Sequence, residues 1–365
     1  MMSRNPAVEP VTVVVASTDP TPTLEASLAR FADEAGPLGE VVLVDASGDG
    51  ESEGLARRSA NVRVLRRPKG LLAPELWRDG LLATEAPLVA FSTARMVPRR
   101  GWLAALEGRL RSTGAAGVGG PIEPGPELSP AGRAVALLRY AGYFPPLPDP
   151  SRVEPPGDNA LYRRDRLMEV RSAWLDGFWE VEVHRALRDR GESLAMAGRA
   201  VVTFEGGVRL ARTARQRWSH ARRYGAGRSA GLGPVARLGR MAAAPMVPSV
   251  LLARILAALK ARRMPLSPWL PALPALAALA SVWAMGEAFG TWAGSGGAHS
   301  NVRRPLSPTL PHKGGGSKKD GIGRGPLDLR RPPLPNPPPR GGREPEKTLP
   351  LSNRPPCGVG RGTEA

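Results

Sequence analysis

The stretch Val11-Thr12-Val13-Val14-Val15-Ala16-Ser17-Thr18-Asp19-Pro20-Thr21-Pro22 decides the fold of this 365-residue chain. Its first five residues are all β-branched, the composition of a strand buried on both faces inside a parallel sheet. The polar run Thr18 to Pro22 supplies turn and helix-start chemistry, after which Leu24, Leu28 and Phe31 recur at helical spacing. Val41-Val42-Leu43-Val44 follows as a second strand, ending at Asp45 and the turn Ser47-Gly48-Asp49-Gly50. Val62-Arg63-Val64-Leu65 reads as a third strand, Leu76 to Leu82 as a helix and Pro87-Leu88-Val89-Ala90-Phe91 as a fourth strand. Strands alternating with helices at this spacing predict an α/β fold with a doubly wound, mainly parallel sheet. Ligands of such sheets collect at the carboxyl ends of the strands, here near Ser17, Asp45 and Thr93.

Composition divides the rest of the chain. There are 51 Lys plus Arg against 33 Asp plus Glu, a formal charge of +18, with 43 Gly and 40 Pro. The single Cys, Cys357, excludes an internal disulfide framework and any multi-cysteine metal site. Met1 to Pro10 has no apolar core of signal-peptide length, so the expectation is an N-terminal part in the cytoplasm. Between Gly206 and Gly286 there is no acidic residue but 13 Lys plus Arg, nine of them Arg between Arg209 and Arg240. From Ser300 apolar periodicity vanishes into runs such as Pro337-Pro338-Pro339, which predicts disorder. The stretch from Leu306 to Gly316 looks like translated intergenic repeat DNA.

Several blocks in order resemble the nucleotide-sugar-binding half of family 2 glycosyltransferases: Val13 to Asp19, Val42 to Ser47, Arg78-Asp79-Gly80, and Phe91 through Pro98 to Gly101-Trp102-Leu103. Gly119-Gly120-Pro121, Asp158 to Arg164 and Trp179-Glu180-Val181-Glu182 resemble the second half, so the likeness runs over residues 11 to 228. The resemblance implies a GT-A-like fold and a nucleotide-sugar donor. It implies that Asp45 accepts hydrogen bonds from the nucleoside, that Arg78 approaches the diphosphate or orients a loop, and that Ser17, Asp19, Thr93 and Asn159 contact substrate. Asp45 reads equally as a turn-forming Asx residue.

The chain departs from the family where an Asp-x-Asp-type motif normally holds a dication, because Ser92-Thr93-Ala94-Arg95 stands there. Mg²⁺ or Mn²⁺ is the family's usual ion, but hard cations need oxygen ligands and an arginine repels them, so no cofactor is assigned. Either Arg95 clamps the diphosphate itself, or the chain has lost transfer, or other residues hold a metal. For inverting transfer the family's base lies in an acidic pair at a helix start, occupied here by Trp179 and Glu180, which makes Glu180 the candidate base. His184, one helical turn on, reads as a packing residue.

The segment Arg212 to Arg228 carries Gln216-Arg217-Trp218 and Arg222-Arg223-Tyr224, half-echoing a family motif in which Arg217 and Trp218 would contact substrate. It reads either as a solvated basic face or as a basic helix against anionic lipid headgroups. Met264 to Gly286 is free of charge, with Pro265, Pro268, Pro271 and Pro274 confining the uninterrupted helix to residues 275 to 292. Gly286, Gly290 and Gly294 recur every fourth residue, either a ridge for close helix packing or a coincidence of glycine abundance.

The expectation is therefore a GT-A-like domain over 1–230, membrane-associated apolar helices over 231–298 and a disordered basic tail over 299–365. Its function would be transfer of a sugar to a lipid-linked or polysaccharide acceptor at the cytoplasmic face of the cell membrane, in cell-envelope polysaccharide synthesis. The rival is a non-catalytic subunit that binds nucleotide sugars or glycans. Nucleic acid is not an expected partner, since only charge suggests it.

Overall fold

The structure, a computed structural model, describes residues 9–147 and 153–294. The expected disordered tail from 299 lies outside those residues.

The buried β-branched run forms β1 (Val11–Ser17), and the helix after it is α1 (Leu24–Ala35). Then come β2 (Glu40–Asp45), the short α2 (Ser52–Ala56), β3 (Val62–Arg66), α3 (Ala73–Leu82) and β4 (Leu88–Thr93). All four strands are mutually parallel, in the order β3-β2-β1-β4. Successive side chains of β1 point to opposite faces. Val13 and Val15 pack with Leu28 and Phe31 of α1, whereas Val14 and Ala16 pack with Leu76, Trp77 and Leu81 of α3. Each such fully buried side chain contributes about 1.5–3 kcal/mol over its exposed state. Gly80 lets α3 approach, because a Cβ there would fall 2.1 Å from a methyl of Val14.

The second half runs through β5 (Met96–Pro98), α4 (Trp102–Thr113), β6 (Gly117–Gly119), β7 (Ile122–Pro124) and α5 (Pro130–Tyr140). It continues with β8 (Asn159–Arg163), α6 (Arg164–Glu169), α7 (Glu180–Asp189), β9 (Leu194–Met196) and β10 (Val202–Phe204). The large sheet extends as β4-β8-β6-β9, and β5, β10 and β7 form a small second sheet. β8 is antiparallel to both its neighbours, with Ser92 opposite Asn159. Its start therefore lies beside the carboxyl end of β4, and this reversal brings residues 157–159 to the strand ends where ligands gather. The architecture is the doubly wound, mainly parallel, GT-A-like arrangement expected, followed by apolar helices.

Those helices are α8 (Leu210–Ser229), α9 (Pro234–Ala243), α10 (Val247–Ala261) and α11 (Leu273–Ala293), the last preceded by a 3₁₀ segment over Ser267–Ala272 that contains Pro268 and Pro271. α11 lies along α8 at backbone contact: a Cβ on Gly290 would sit 1.9 Å from the Arg222 carbonyl oxygen, and one on Gly225 2.1 Å from that of Glu287. The ridge reading thus holds for Gly286 and Gly290, while Gly294 caps the helix with open space where a Cβ would lie and its carbonyl accepting from Arg222 Nε at 2.9 Å. Arg217 and Arg222 of α8 cover the rings of Trp283 and Phe289 of α11 at 4.9 and 4.8 Å.

Candidate functional site

The ends of β1 and β2 are in register at Ser17 and Asp45, and Thr93 pairs with Ala16. Asp45 does not face the cleft. Its Oδ1 accepts from the Ser47 N–H at 2.9 Å, its Oδ2 accepts from the Ser52 hydroxyl at 2.6 Å, and the side chain is fully buried. This is the Asx turn, and it leaves the carboxylate no open face for a nucleoside. Ser17 is buried as well, and Thr93 is half-buried.

Asp19, just past β1, is the hub of the first charged group. It accepts from Arg212 Nη1 at 2.8 Å and from Gln216 Nε2 at 3.0 Å, both on α8, and Arg95 Nη2 lies 3.6 Å away. Arg95 also donates to the Gly207 carbonyl. Burial lowers the Arg95 pKa, and Asp19 opposes that shift. Arg95 therefore stands at the rim formed by β1, β4 and α8, away from bulk solvent but already partnered.

Arg78 is enclosed. It pairs with Asp79 at 2.6 Å and donates to the Leu175 carbonyl at 3.4 Å, so it orients the loop before α7. Asn159 is completely buried and committed to the interior: its amide N–H groups reach the carbonyls of Pro121 and Ala200 at 2.9 and 2.8 Å, and its Oδ1 accepts from Trp102 Nε1 at 2.7 Å. The expectation that it binds substrate gives way to a structural role, because donors and acceptor alike are taken. Trp218 packs on Phe289 of α11, with ring centroids 5.7 Å apart, so it serves helix packing rather than the cleft.

The second charged group lies at the β4–β8 junction. Ser92 Oγ donates to the Asp158 carbonyl at 2.9 Å, which fixes residue 158 to the end of β4. The Asp158 carboxylate accepts from Arg139 Nη2 at 2.7 Å. Asp158 is nearly sealed, whereas 40% of the Arg139 side chain is open. Burial alone would lower the Arg139 pKa, but Asp158, Tyr140 and Glu180 outweigh it and raise it, so the guanidinium stays charged.

Glu180 opens α7, where a carboxylate is favoured by the helix dipole. Its Oε1 accepts from the Gly157 N–H at 3.2 Å. A Cβ at Gly157 would fall 2.5 Å from both that oxygen and the Trp77 ring, so only glycine admits Glu180 here. Burial raises the Glu180 pKa, Asp158 raises it further, and Arg139 and the Gly157 N–H pull it down.

α8 spans these groups. Besides holding Asp19 at one end, it places Arg223 over the Trp179 ring at 4.3 Å, with Arg223 Nη2 3.2 Å from Glu182. His220 packs edge-on against Trp179 at 5.3 Å; burial and the neighbouring Arg139, Arg217 and Arg223 push its pKa down to about 3. Arg217, whose Nε lies 3.4 Å from the Leu279 carbonyl, is brought down to about 10 by burial and by Arg139. The basic face expected against lipid headgroups is thus largely engaged within the protein.

Arg139 and His220 escaped sequence reasoning. The only signal for Arg139 was a charge directly after the apolar run Ala134 to Leu138 at the end of a helix. His184 sits inside the core, with Nε2 2.7 Å from Tyr162 Oη and Nδ1 3.2 Å from Glu154. Among the described residues no group of three or more His, Cys, Asp or Glu side chains could hold a metal. Thr93 and Arg95 do not fit a dication, and the acids beside them, Asp19 and Asp158, are paired with arginines.

No family model matches the chain, and no curated protein matches it. Among solved structures it is similar to the mannosyltransferase PcManGT from Pyrobaculum calidifontis in complex with GDP-Man and Mn²⁺, at 18% identity and a TM-score of 0.46, covering 79% of this chain and 87% of that one. It is also similar to a mycobacterial protein at 18% identity and a TM-score of 0.41, covering 59% and 74%. At this level of likeness neither structure bears on the chemistry of this chain.

Proposed function

We propose that this chain is an inverting glycosyltransferase that moves a sugar from a nucleoside diphosphate donor to a lipid-linked or glycan acceptor. The observation that carries the reading is the placement of Glu180: a carboxyl held by Gly157 at the mouth of the β4–β8 junction, its pKa raised by burial toward the range of a general base. In the reaction Glu180 takes the proton of the acceptor hydroxyl as that oxygen attacks the anomeric carbon. The bond from that carbon to the diphosphate breaks, and its electron pair leaves with the nucleoside diphosphate. Arg139, half-open beside Asp158 at the same junction, supports a site for that anion. The test is a thermal-shift panel of sugar nucleotides on the full-length protein, with and without Mn²⁺, followed by transfer assays with any donor that stabilises it.

The second reading is a non-catalytic subunit that binds nucleotide sugars or glycans. It is favoured by the closed carboxylate of Asp45 and by the loss of acidic residues after β4.

We place the protein at the cytoplasmic face of a membrane, with residues 1–230 as the transferase domain and 231–298 as the membrane-associated part. Two helical stretches, Pro234–Ala261 and Ser267–Ala293, are long and apolar enough to cross a bilayer, and 17% and 39% of their apolar windows are buried. Val235, Leu238, Met246, Leu270 and Trp292 stand exposed along them, an apolar surface that water disfavours and lipid would cover. The packing of α11 on α8 and α5 would tie this surface to the cleft.

A further inference from the structure

A diphosphate needs its charge neutralised as it leaves, and the residues after β4 offer no dication site. Arg95, the cation expected to substitute, already faces Asp19 and the Gly207 carbonyl. Arg139 answers the requirement better. It reaches the β4–β8 junction from the last turn of α5, and the carboxylate that aims it, Asp158, is fixed by its own carbonyl to Ser92 at the end of β4. Its side chain is the more open of that pair, at 40% against 5%. A guanidinium carries five N–H donors in a planar fork, and one nitrogen toward Asp158 leaves others for phosphate oxygens. Arg217 approaches from α8, one helical turn before His220, which packs at 5.3 Å on Trp179 next to Glu180, and its contacts are a carbonyl and the Trp283 ring rather than a carboxylate.

We propose that Arg139 and Arg217, one from α5 and one from α8, form a two-guanidinium site for a diphosphate group, taking the place of a metal ion. The inference rests on the transferase reading for the nucleoside attached to that group, but not for the anion site itself. Asp158 is then a positioning residue: it holds one edge of Arg139 so that the other faces the cleft. Glu180 is bonded to Gly157 and Arg139 to the next residue, Asp158, so donor phosphate and acceptor proton are handled within one cluster.

The experiment is isothermal titration of the full-length protein in detergent with inorganic pyrophosphate, UDP and GDP, all in EDTA. The wild type is expected to bind pyrophosphate without metal, and R139Q and R217Q each to weaken it at least tenfold. R139K keeps a cation beside Asp158 but loses the fork and should fall between. Unfolding temperatures identify any variant that has lost its fold, in which case R139K alone carries the comparison. Binding that appears only when Mn²⁺ is added, no binding by the wild type, or R139K and R139Q both binding like the wild type overturns the inference. If UDP or GDP binds undiminished in R139Q, the inference fails and the transferase reading survives. If pyrophosphate binds through Arg139 while no nucleoside diphosphate competes, the anion site stands and the transferase reading fails.

Discussion

Glu180 Oε1 and the backbone N–H of Gly157 are 3.2 Å apart, so the first residue of α7 is fastened to the chain entering β8. The bond aims one carboxylate at the strand ends, in surroundings that favour its protonated form. Glu180→Gln keeps an oxygen for Gly157 and removes the base. Turnover should fall at least a hundredfold while donor affinity stays within about threefold, or about 0.65 kcal/mol.

The same carboxyl sets a pH dependence. Burial and Asp158 raise the Glu180 pKa while Arg139 and the Gly157 N–H lower it, and the balance lies above the ordinary carboxylate range of about 4.3. The acid limb of kcat/KM should therefore lie above that value and move higher in R139Q, where the cation that lowers it is gone. A raised carboxyl pKa contributes stability below the unfolded value that is lost as pH rises through the folded value. E180Q should accordingly unfold no earlier than the wild type at pH 8, which separates a lost base from a lost fold.

His184 makes the opposite prediction for acid. Burial lowers its pKa to about 4, so the stability it contributes is present above about 6.5 and fades as pH falls toward 4. The loss is at most about 3 kcal/mol, reduced by the nearby Glu154. H184Q, which can still meet the Tyr162 hydroxyl, should flatten the slope of unfolding free energy between pH 6.5 and 4; an unchanged slope would remove His184 from the account.

Close approach of α8 and α11 predicts a contrast between two glycines. Gly290→Ala forces a methyl onto the Arg222 carbonyl and should cost about 1–3 kcal/mol. Gly227→Ala, on α8 with nothing within 4 Å, should be neutral or stabilising by up to about 1 kcal/mol. Thermal unfolding in detergent reads both.

Exposed apolar residues predict membrane retention. The wild type should resist extraction by alkaline carbonate, and Val235→Glu with Leu238→Glu, at positions 85% and 66% exposed, should lower liposome binding about tenfold. Complete release of the wild type would contradict an embedded segment.

The first, second and fourth strands were legible because each is a largely apolar run set by burial on both faces, and the third, a half-buried edge strand, from its Val and Leu residues. The helix start at Glu180 was legible from its acidic first turn. What the sequence hid depends on contacts across long separations. Asp45 reads equally as a ligand contact and as an Asx turn, and only the closure of Ser47 and Ser52 over it decides for the turn. Asn159 looks like a cleft residue until Trp102 and the carbonyls of Pro121 and Ala200 absorb its amide. Arg139 acquires meaning only because β8 runs antiparallel and brings Asp158 to the end of β4. The basic helix α8 carries no periodic sign that its partner is α11, some sixty residues on.

The central claim is transfer with Glu180 as base, and it is tested most directly by incubating membranes carrying the full-length chain with radiolabelled UDP- and GDP-linked sugars in EDTA. Label should pass from at least one donor into lipid or polymer with the wild type and remain in the donor with Glu180→Gln. Equal incorporation by both proteins, or none from any donor, contradicts the account.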